Sequence, residues 1–248
     1  MNNSVIDNIQ FSIFGPDEIR EYSVVEVTKS ETYDKDTPII KGPFDPRMGV
    51  IDIGKICKTC GQKNTECPGH FGHIELAMPI INYQFINILK KILKCVCFRC
   101  SKLLVNKNTQ IVQNILNKNN KSRFNDICNL CSKIKRCGQD TEDGCGAQQP
   151  KKYFKNPGIS DLYAEWDKLD FTTDDDLLDT TSKKQLLPTV YLYQLLERIT
   201  DEDCEVMGFD SHFSRPEWLI HTVLPVPPPS MRPSVKQDNQ RMDDDLSH

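Results

Sequence analysis

Apolar residues along this chain recur at two periods, and neither runs for long. From Ile9 to Phe14 they alternate with polar ones, the period of a half-buried strand. Gly15-Pro16-Asp17 then turns the chain into a short helix at Glu18–Arg20. Thr28 to Pro46 is polar and interrupted by Pro and Gly, the composition of a loop. Ile74 to Ile81 reads as a short strand broken at Pro79. From Tyr83 to Lys94 the period changes: Phe85, Ile88, Leu89, Ile92 and Leu93 fall at three- and four-residue steps, one apolar face of a helix. Asn106–Lys121, rich in Asn and Lys, is expected to form a loop and then a polar helix. Lys151 to Lys184 is charged and holds Asp174-Asp175-Asp176 with Asp179, which reads as a solvated variable loop. Pro188-Thr189 opens a helix to Arg198 with Val190, Leu192, Tyr193, Leu195 and Leu196 as its apolar set. A second short helix follows over Asp201–Met207, and Pro225–Pro229 is extended and stiff. No stretch repeats internally. The pattern predicts an irregular α+β fold of short strands and helices.

Composition narrows this picture. At 248 residues the chain has room for one large or two small domains. With 38% hydrophobic and 27% charged residues it is polar for a free globule, so part of it is expected to pack on a partner. A net charge of -4 argues against holding DNA by bulk electrostatics, leaving nucleic-acid contact to local basic residues. No apolar run reaches the roughly eighteen residues of a membrane span, and the N-terminus lacks the basic start and apolar core of a secretory signal. These absences predict an intracellular chain with no membrane partner. There, eleven cysteines are better explained by metal binding than by disulfides, and the odd count leaves one unpaired in any disulfide scheme.

Spacing says where the metal goes. Cys57 and Cys60 form one close pair, and Cys67 and His70 a second, across a short polar loop. A tetrahedral zinc ion takes four such donors, and a two-residue gap lets a tight turn aim both ends of a pair at one metal. Gly61 and Pro68-Gly69 supply the turns. A second pair is Cys97 and Cys100, and two candidates compete to complete it: Cys128 with Cys131, or Cys137 with Cys145. Spacing alone favours the first. With every position filled by protein, either zinc would hold structure and leave no open site for activated water. His73 is read as a capping or hydrogen-bonding residue, and Cys95 and Cys204 as buried small hydrophobes.

The wording around these ligands is specific. Cys67-Pro68-Gly69-His70-Phe71-Gly72-His73-Ile74-Glu75-Leu76 resembles the first zinc motif in the largest subunit of multisubunit DNA-directed RNA polymerases, and Asp45-Pro46-Arg47-Met48-Gly49 resembles the approach to it. Far downstream, Phe213-Ser214-Arg215-Pro216-Glu217-Trp218-Leu219-Ile220, Leu224-Pro225-Val226-Pro227-Pro228-Pro229 and Arg232-Pro233-Ser234 resemble the RNA polymerase II version. The resemblance runs from about Phe11 to the last residue. It implies Cys137 and Cys145 as the remaining ligands of the second zinc, before Gln149-Pro150, and a non-ligand cysteine at Cys131. The set read from it is Cys97, Cys100, Cys137 and Cys145.

The resemblance also implies a function. In that family this region forms much of the clamp, a mobile wall over DNA and the RNA–DNA hybrid, stiffened by zinc modules and anchored on other subunits. Segments would then run 1–94 with the first zinc module, 95–150 with the second, 151–186 as a variable acidic loop, 187–230 as clamp core and Pro-rich segment, and 231–248 as a lid-like end. Arg232, Lys236 and Arg241 become candidates for phosphate contact. The expected partners are the second-largest subunit, the other polymerase subunits, DNA and the hybrid. Nucleotide addition uses Mg2+ held by a loop that relatives carry well downstream and that does not occur here, so the chain reads as the opening piece of a longer nucleotidyltransferase subunit. Location follows origin: the nucleus for a cellular eukaryote, a virion or cytoplasmic factory for a virus. Two other readings remain: a free zinc-binding adaptor, as in ubiquitin ligases, and a stand-alone regulator that borrows the clamp fold.

Overall fold

The computed structural model describes residues 6–7, 9, 11–35, 37–155, 161–167, 183–237, 240–242 and 244–247. Helix α1 (Pro16–Tyr22) is followed by the two-residue strands β1 (Tyr33–Asp34) and β2 (Thr37–Pro38) and the long strand β3 (Gly72–Ile81). Helices α2 (Ile86–Cys95), α3 (Gln110–Leu116) and α4 (Asn120–Cys131) come next, then strands β4 (Lys152–Lys155), β5 (Leu162–Trp166) and β6 (Lys183–Leu187). Helices α5 (Thr189–Glu197) and α6 (Asp201–Met207) lead to β7 (Ile220–Val226), β8 (Val235–Gln237) and β9 (Gln240–Met242). The sheets are small: β4-β5-β6 is antiparallel and three-stranded, and the other strands pair two by two. The fold is mixed helix and sheet. Among the described residues no helix is long and apolar enough to cross a membrane.

The chain divides into two compact units, one of residues up to 14 with 78–220, the other of 15–77 with 221–248. In the first, α2 buries Leu89, Ile92 and Leu93, α5 buries Leu192, Leu195 and Leu196, and α3 and α4 add Val112, Ile115 and Ile127. The apolar steps read from sequence supply the α2 and α5 part of this core. Ile88 and Val190 are the exceptions and stand exposed. Val190 lies off the face that its buried neighbours define, whereas Ile88 shares the side of Ile92 and Cys95 and is still exposed; a lone exposed aliphatic costs little.

Strand β5 alternates as a half-buried strand should, with Leu162, Ala164 and Trp166 buried and Tyr163 and Glu165 less so. It lies inside the stretch read as a solvated loop, because local charge outweighed this short alternation. The acidic patch Asp174–Asp176 with Asp179 falls outside the described residues.

The second unit has a smaller apolar cluster, in which Val25, Val27, Met48 and Val226 are buried against Val24 and Ile74. At about 2 kcal/mol per buried side chain, four of them are too few to order a unit of this size, so polar networks and crosslinks must carry much of it. Strand β3 runs unbroken through Pro79. Its sheet has two strands, so each strand keeps one edge where a missing N–H costs nothing, and the expected break does not occur. The polar loop from Thr28 to Pro46 contains the hairpin β1–β2, with Tyr33 and Phe44 rings 5.2 Å apart. Conversely, Phe11–Phe14 forms no strand, and the Ile13 N–H donates to the Phe213 carbonyl at 3.1 Å. Asn8 and Gln10 of that stretch lie outside the described residues.

Candidate metal centres

In the second unit the ligand atoms of Cys57, Cys60, Cys67 and His70 all lie within 4.8 Å of one another. Cys60 Sγ is 3.5 Å from Cys67 Sγ, which is 3.7 Å from His70 Nε2. The first pair sits on a tight knuckle: the Gly61 N–H donates to the Cys57 carbonyl at 2.9 Å, and the Thr59 N–H donates to Cys57 Sγ at 3.4 Å. Closing that turn puts Gly61 at φ 71°, where a side chain would be strained.

Asp45–Gly49 binds both halves of this centre. The Arg47 carbonyl accepts from Thr59 Oγ1 at 2.7 Å, the Pro46 carbonyl from the Lys58 N–H at 3.1 Å, and the Met48 carbonyl from the His70 N–H at 2.9 Å. One loop thus fixes the knuckle and the histidine. Gly49 runs close under the centre, where an added Cβ would lie 3.6 Å from Cys67 Sγ.

Asp45 holds the loop itself. Fully buried, it accepts from the Lys41 N–H at 2.6 Å, the Arg47 N–H at 2.9 Å, and Arg47 Nε and Nη2 at 2.9 and 2.7 Å. Burial pushes its carboxyl up, but the hydrogen bonds and charge of Arg47, with the Lys41 amide, outweigh it and bring the pKa from 3.8 to about 2. That depression is worth about 2 kcal/mol, complete above roughly pH 4 and lost as pH falls towards the folded-state value. Asp45→Asn should therefore lower stability by at least this much, and by the same amount at pH 7 and pH 5 in chemical denaturation. A penalty that shrinks between those two values would contradict the assignment.

In the first unit Cys97, Cys100, Cys137 and Cys145 form the second set, again within 4.8 Å. Cys97 Sγ and Cys145 Sγ are 3.5 Å apart, and Cys100 Sγ and Cys137 Sγ 3.7 Å. The knuckle repeats the first: the Ser101 N–H donates to the Cys97 carbonyl at 2.9 Å, with Ser101 at φ 63°. On the other side, the Cys137 N–H donates to the Ala147 carbonyl and the Gly146 N–H to the Cys137 carbonyl. Gly138 and Gly144 touch so closely that a Cβ on Gly144 would lie 2.1 Å from Gly138. Gln149 bridges the halves, its Nε2 donating to Cys97 Sγ at 3.3 Å and its Oε1 accepting the Phe98 N–H at 3.0 Å. Tyr191 donates its hydroxyl to the Phe98 carbonyl, and Trp166 Nε1 donates to the Gln148 carbonyl at 3.1 Å. Helix α5 and strand β5 thereby brace this centre. Gln149 and Tyr191 as supports of the knuckle were not foreseen, since their partners are distant in sequence.

Cys128 and Cys131 lie apart, buried on α4, although spacing alone favours them. A helical Cys-x-x-Cys puts both side chains on one face, and this face is turned to the core. His73 is also outside the set, with Nδ1 2.7 Å from Ser23 Oγ. Cys95 and Cys204 are fully buried.

Arg232 is not a free cation awaiting a phosphate. It is 1% exposed, Nε donates to the Pro227 carbonyl at 2.9 Å, Nη1 to Ser247 Oγ at 3.2 Å and Nη2 to the Pro43 carbonyl, and its guanidinium lies over the Phe44 ring. The sequence pointed to a phosphate contact at Arg232; in this structure its guanidinium donates to the protein's own carbonyls. Lys236 and Arg241 are in register across β8–β9, and their side chains lie outside the described residues.

These two centres lie within a chain that matches the model for RNA polymerase Rpb1, domain 1, over residues 3–248. The chain belongs to that family. A curated relative, DNA-directed RNA polymerase II subunit RPB1 of Euplotoides octocarinatus, is 39% identical over 256 residues, covering 100% of this chain and 52% of the relative. The chain therefore spans about half the length of that relative. In this Rpb1 domain, two landmarks of the resemblance acquire physical roles. Asp45–Gly49 is the loop that grips the first centre, and Gln149 ties the second together.

Proposed function

We propose that this chain is the N-terminal clamp portion of the largest subunit of a DNA-dependent RNA polymerase, with one structural zinc in each unit. The observation that carries this reading is that both four-donor sets are held by segments that also carry the resemblance to the largest subunit. Sulfur-rich sets with one or no imidazole suit zinc, and four protein donors leave no coordination position for substrate or water. The zinc ions would stiffen the clamp and take no part in chemistry.

Nucleotidyl transfer would belong to the assembled enzyme, whose two divalent metals, Mg2+ in this reading, stabilise the attacking and leaving oxygens. The partners would be the other subunits, above all the second-largest, together with DNA and the RNA–DNA hybrid, and the place of work in a eukaryote the nucleus. Lys236 and Arg241 remain candidates for sequence-independent phosphate contact in a lid-like segment over 231–248. A free zinc adaptor would account for the cysteines, but leaves Arg215-Pro216-Glu217-Trp218 and the Pro-rich run without a role.

Native purification of this chain with mass spectrometry of its companions tests the proposal. Recovery of a second-largest polymerase subunit is the expected result. Recovery of the chain alone, or with ubiquitin-pathway proteins, would overturn it.

A further inference from the structure

Gln149 is a buried side-chain amide, 9% exposed, and one of its hydrogen bonds goes to a sulfur. Its Oε1 accepts the Phe98 N–H at 3.0 Å, and its Nε2 donates to the Ala147 carbonyl at 2.8 Å and to Cys97 Sγ at 3.3 Å. A backbone N–H can only donate and a backbone carbonyl can only accept, so these two partners fix which end of the amide is which. The remaining N–H is left for the sulfur.

That sulfur needs a donor. Cys97 is 0% exposed, so as a metal-bound thiolate it would get no hydrogen bond from water, and a buried charge without partners is costly. The knuckle supplies one donor, the Arg99 N–H at 3.4 Å, and Gln149 supplies another. The first centre offers a comparison. Cys57 is 1% exposed and takes the matching knuckle donor, the Thr59 N–H at 3.4 Å, but among the described residues no side-chain amide donates to it. The difference follows charge: three thiolates and a neutral imidazole around Zn2+ leave one negative charge, and four thiolates leave two.

We propose that Gln149 is a positioning residue for the second centre: its amide donates to the Cys97 thiolate, offsets part of the extra negative charge of a four-thiolate set, and so tightens that set's hold on zinc. The inference rests on the zinc reading of this set. Without the amide, the buried sulfur keeps charge that water does not reach, and the repulsion among four thiolates loosens the site.

The test is metal competition on the full chain, purified with its metals. In Gln149→Leu one of the two zinc equivalents should be held about 10–100-fold more weakly against a chelator, with the other unchanged. With cobalt(II) in place of zinc, the sulfur-to-metal charge-transfer band of Gln149→Leu should move to longer wavelength, because a thiolate without its hydrogen bond gives up an electron more readily. Tyr191→Phe cuts the hydroxyl bond to the Phe98 carbonyl on the same knuckle and leaves the donors to Cys97 in place, so there the band should stay. In the wild-type chain loaded with NMR-active cadmium, the Gln149 side-chain N–H should couple to one metal nucleus through the hydrogen bond, a reading that needs no variant to fold. Wild-type metal affinity with an unmoved band in Gln149→Leu, an equal shift in Tyr191→Phe, or no coupling from the Gln149 amide to cadmium would each overturn the proposal. A wild-type chain that holds no metal at the second set would overturn the zinc reading itself, and the proposal with it.

Discussion

Replacing Cys137 with serine should remove one of two zinc equivalents and unfold the module around Cys97–Gln149, whereas Cys128→Ser should leave both metals in place. Cys137 Sγ is 3.7 Å from Cys100 Sγ and inside the four-donor set, while Cys128 Sγ only donates to the Lys91 carbonyl at 3.8 Å. A closed zinc site contributes on the order of 10 kcal/mol to folding, more than the surrounding core can replace. Truncating a buried thiol to a hydroxyl that keeps its acceptor costs about 1–2 kcal/mol. The two variants should therefore differ in kind: one loses metal and its cooperative melt, the other shifts its midpoint by a few degrees. Zinc stoichiometry by atomic emission, read beside thermal melting, separates them. The reverse outcome, with metal lost in Cys128→Ser and retained in Cys137→Ser, would reassign the second centre to α4.

That contrast shows what was legible in the sequence. The first candidate set lies within fourteen residues, so local spacing was enough to single out the four side chains that the fold brings together. In the second, Cys97 and Cys145 are 48 residues apart, and no local rule joins them. Spacing pointed to Cys128 and Cys131, and only the resemblance pointed to Cys137 and Cys145. The physical reason for the outcome is that α4 continues through Cys131, so its thiols follow the helix face into the core. Helices α2, α5 and α6 were readable because buried residues recur with the helix period. The β4-β5-β6 sheet was not, because its strands are four or five residues long and surrounded by charge. Arg232 marks a different limit. A basic residue in a polar tail reads as solvent-facing, and nothing local announces that Pro43, 189 residues away, supplies an acceptor. Likewise the grouping of residues 15–77 with 221–248 follows from contacts that sequence order conceals.

Cys60→Ser should release the first zinc, and the damage should spread to the Pro-rich segment near the end of the chain. In the second unit, Gly69 lies between the ligands Cys67 and His70 at φ 84°, packed so tightly that an added Cβ would fall 2.7 Å from Pro228 and 2.9 Å from Ser230. Pro228 leads directly into Arg232, whose guanidinium clasps the carbonyls of Pro43 and Pro227. Pro43 in turn precedes the Asp45–Gly49 loop that grips Thr59 and His70. The metal set, the loop, the Arg232 clasp and the Pro-rich run thus form one closed circuit of contacts. The unit's main apolar cluster has only four buried members, too few to hold that circuit once the candidate ligands separate. Loss of a zinc worth on the order of 10 kcal/mol should therefore leave Val226–Ser234 open to limited proteolysis as well as emptying the site. Arg232→Ala should expose the same segment while keeping both metals, since it cuts the circuit away from the ligands. If Cys60→Ser lost its zinc and the terminal segment stayed as protected as in wild type, the coupling would be wrong although the ligand assignment stood. Retention of both metals with an unchanged melt would remove the ligand assignment itself.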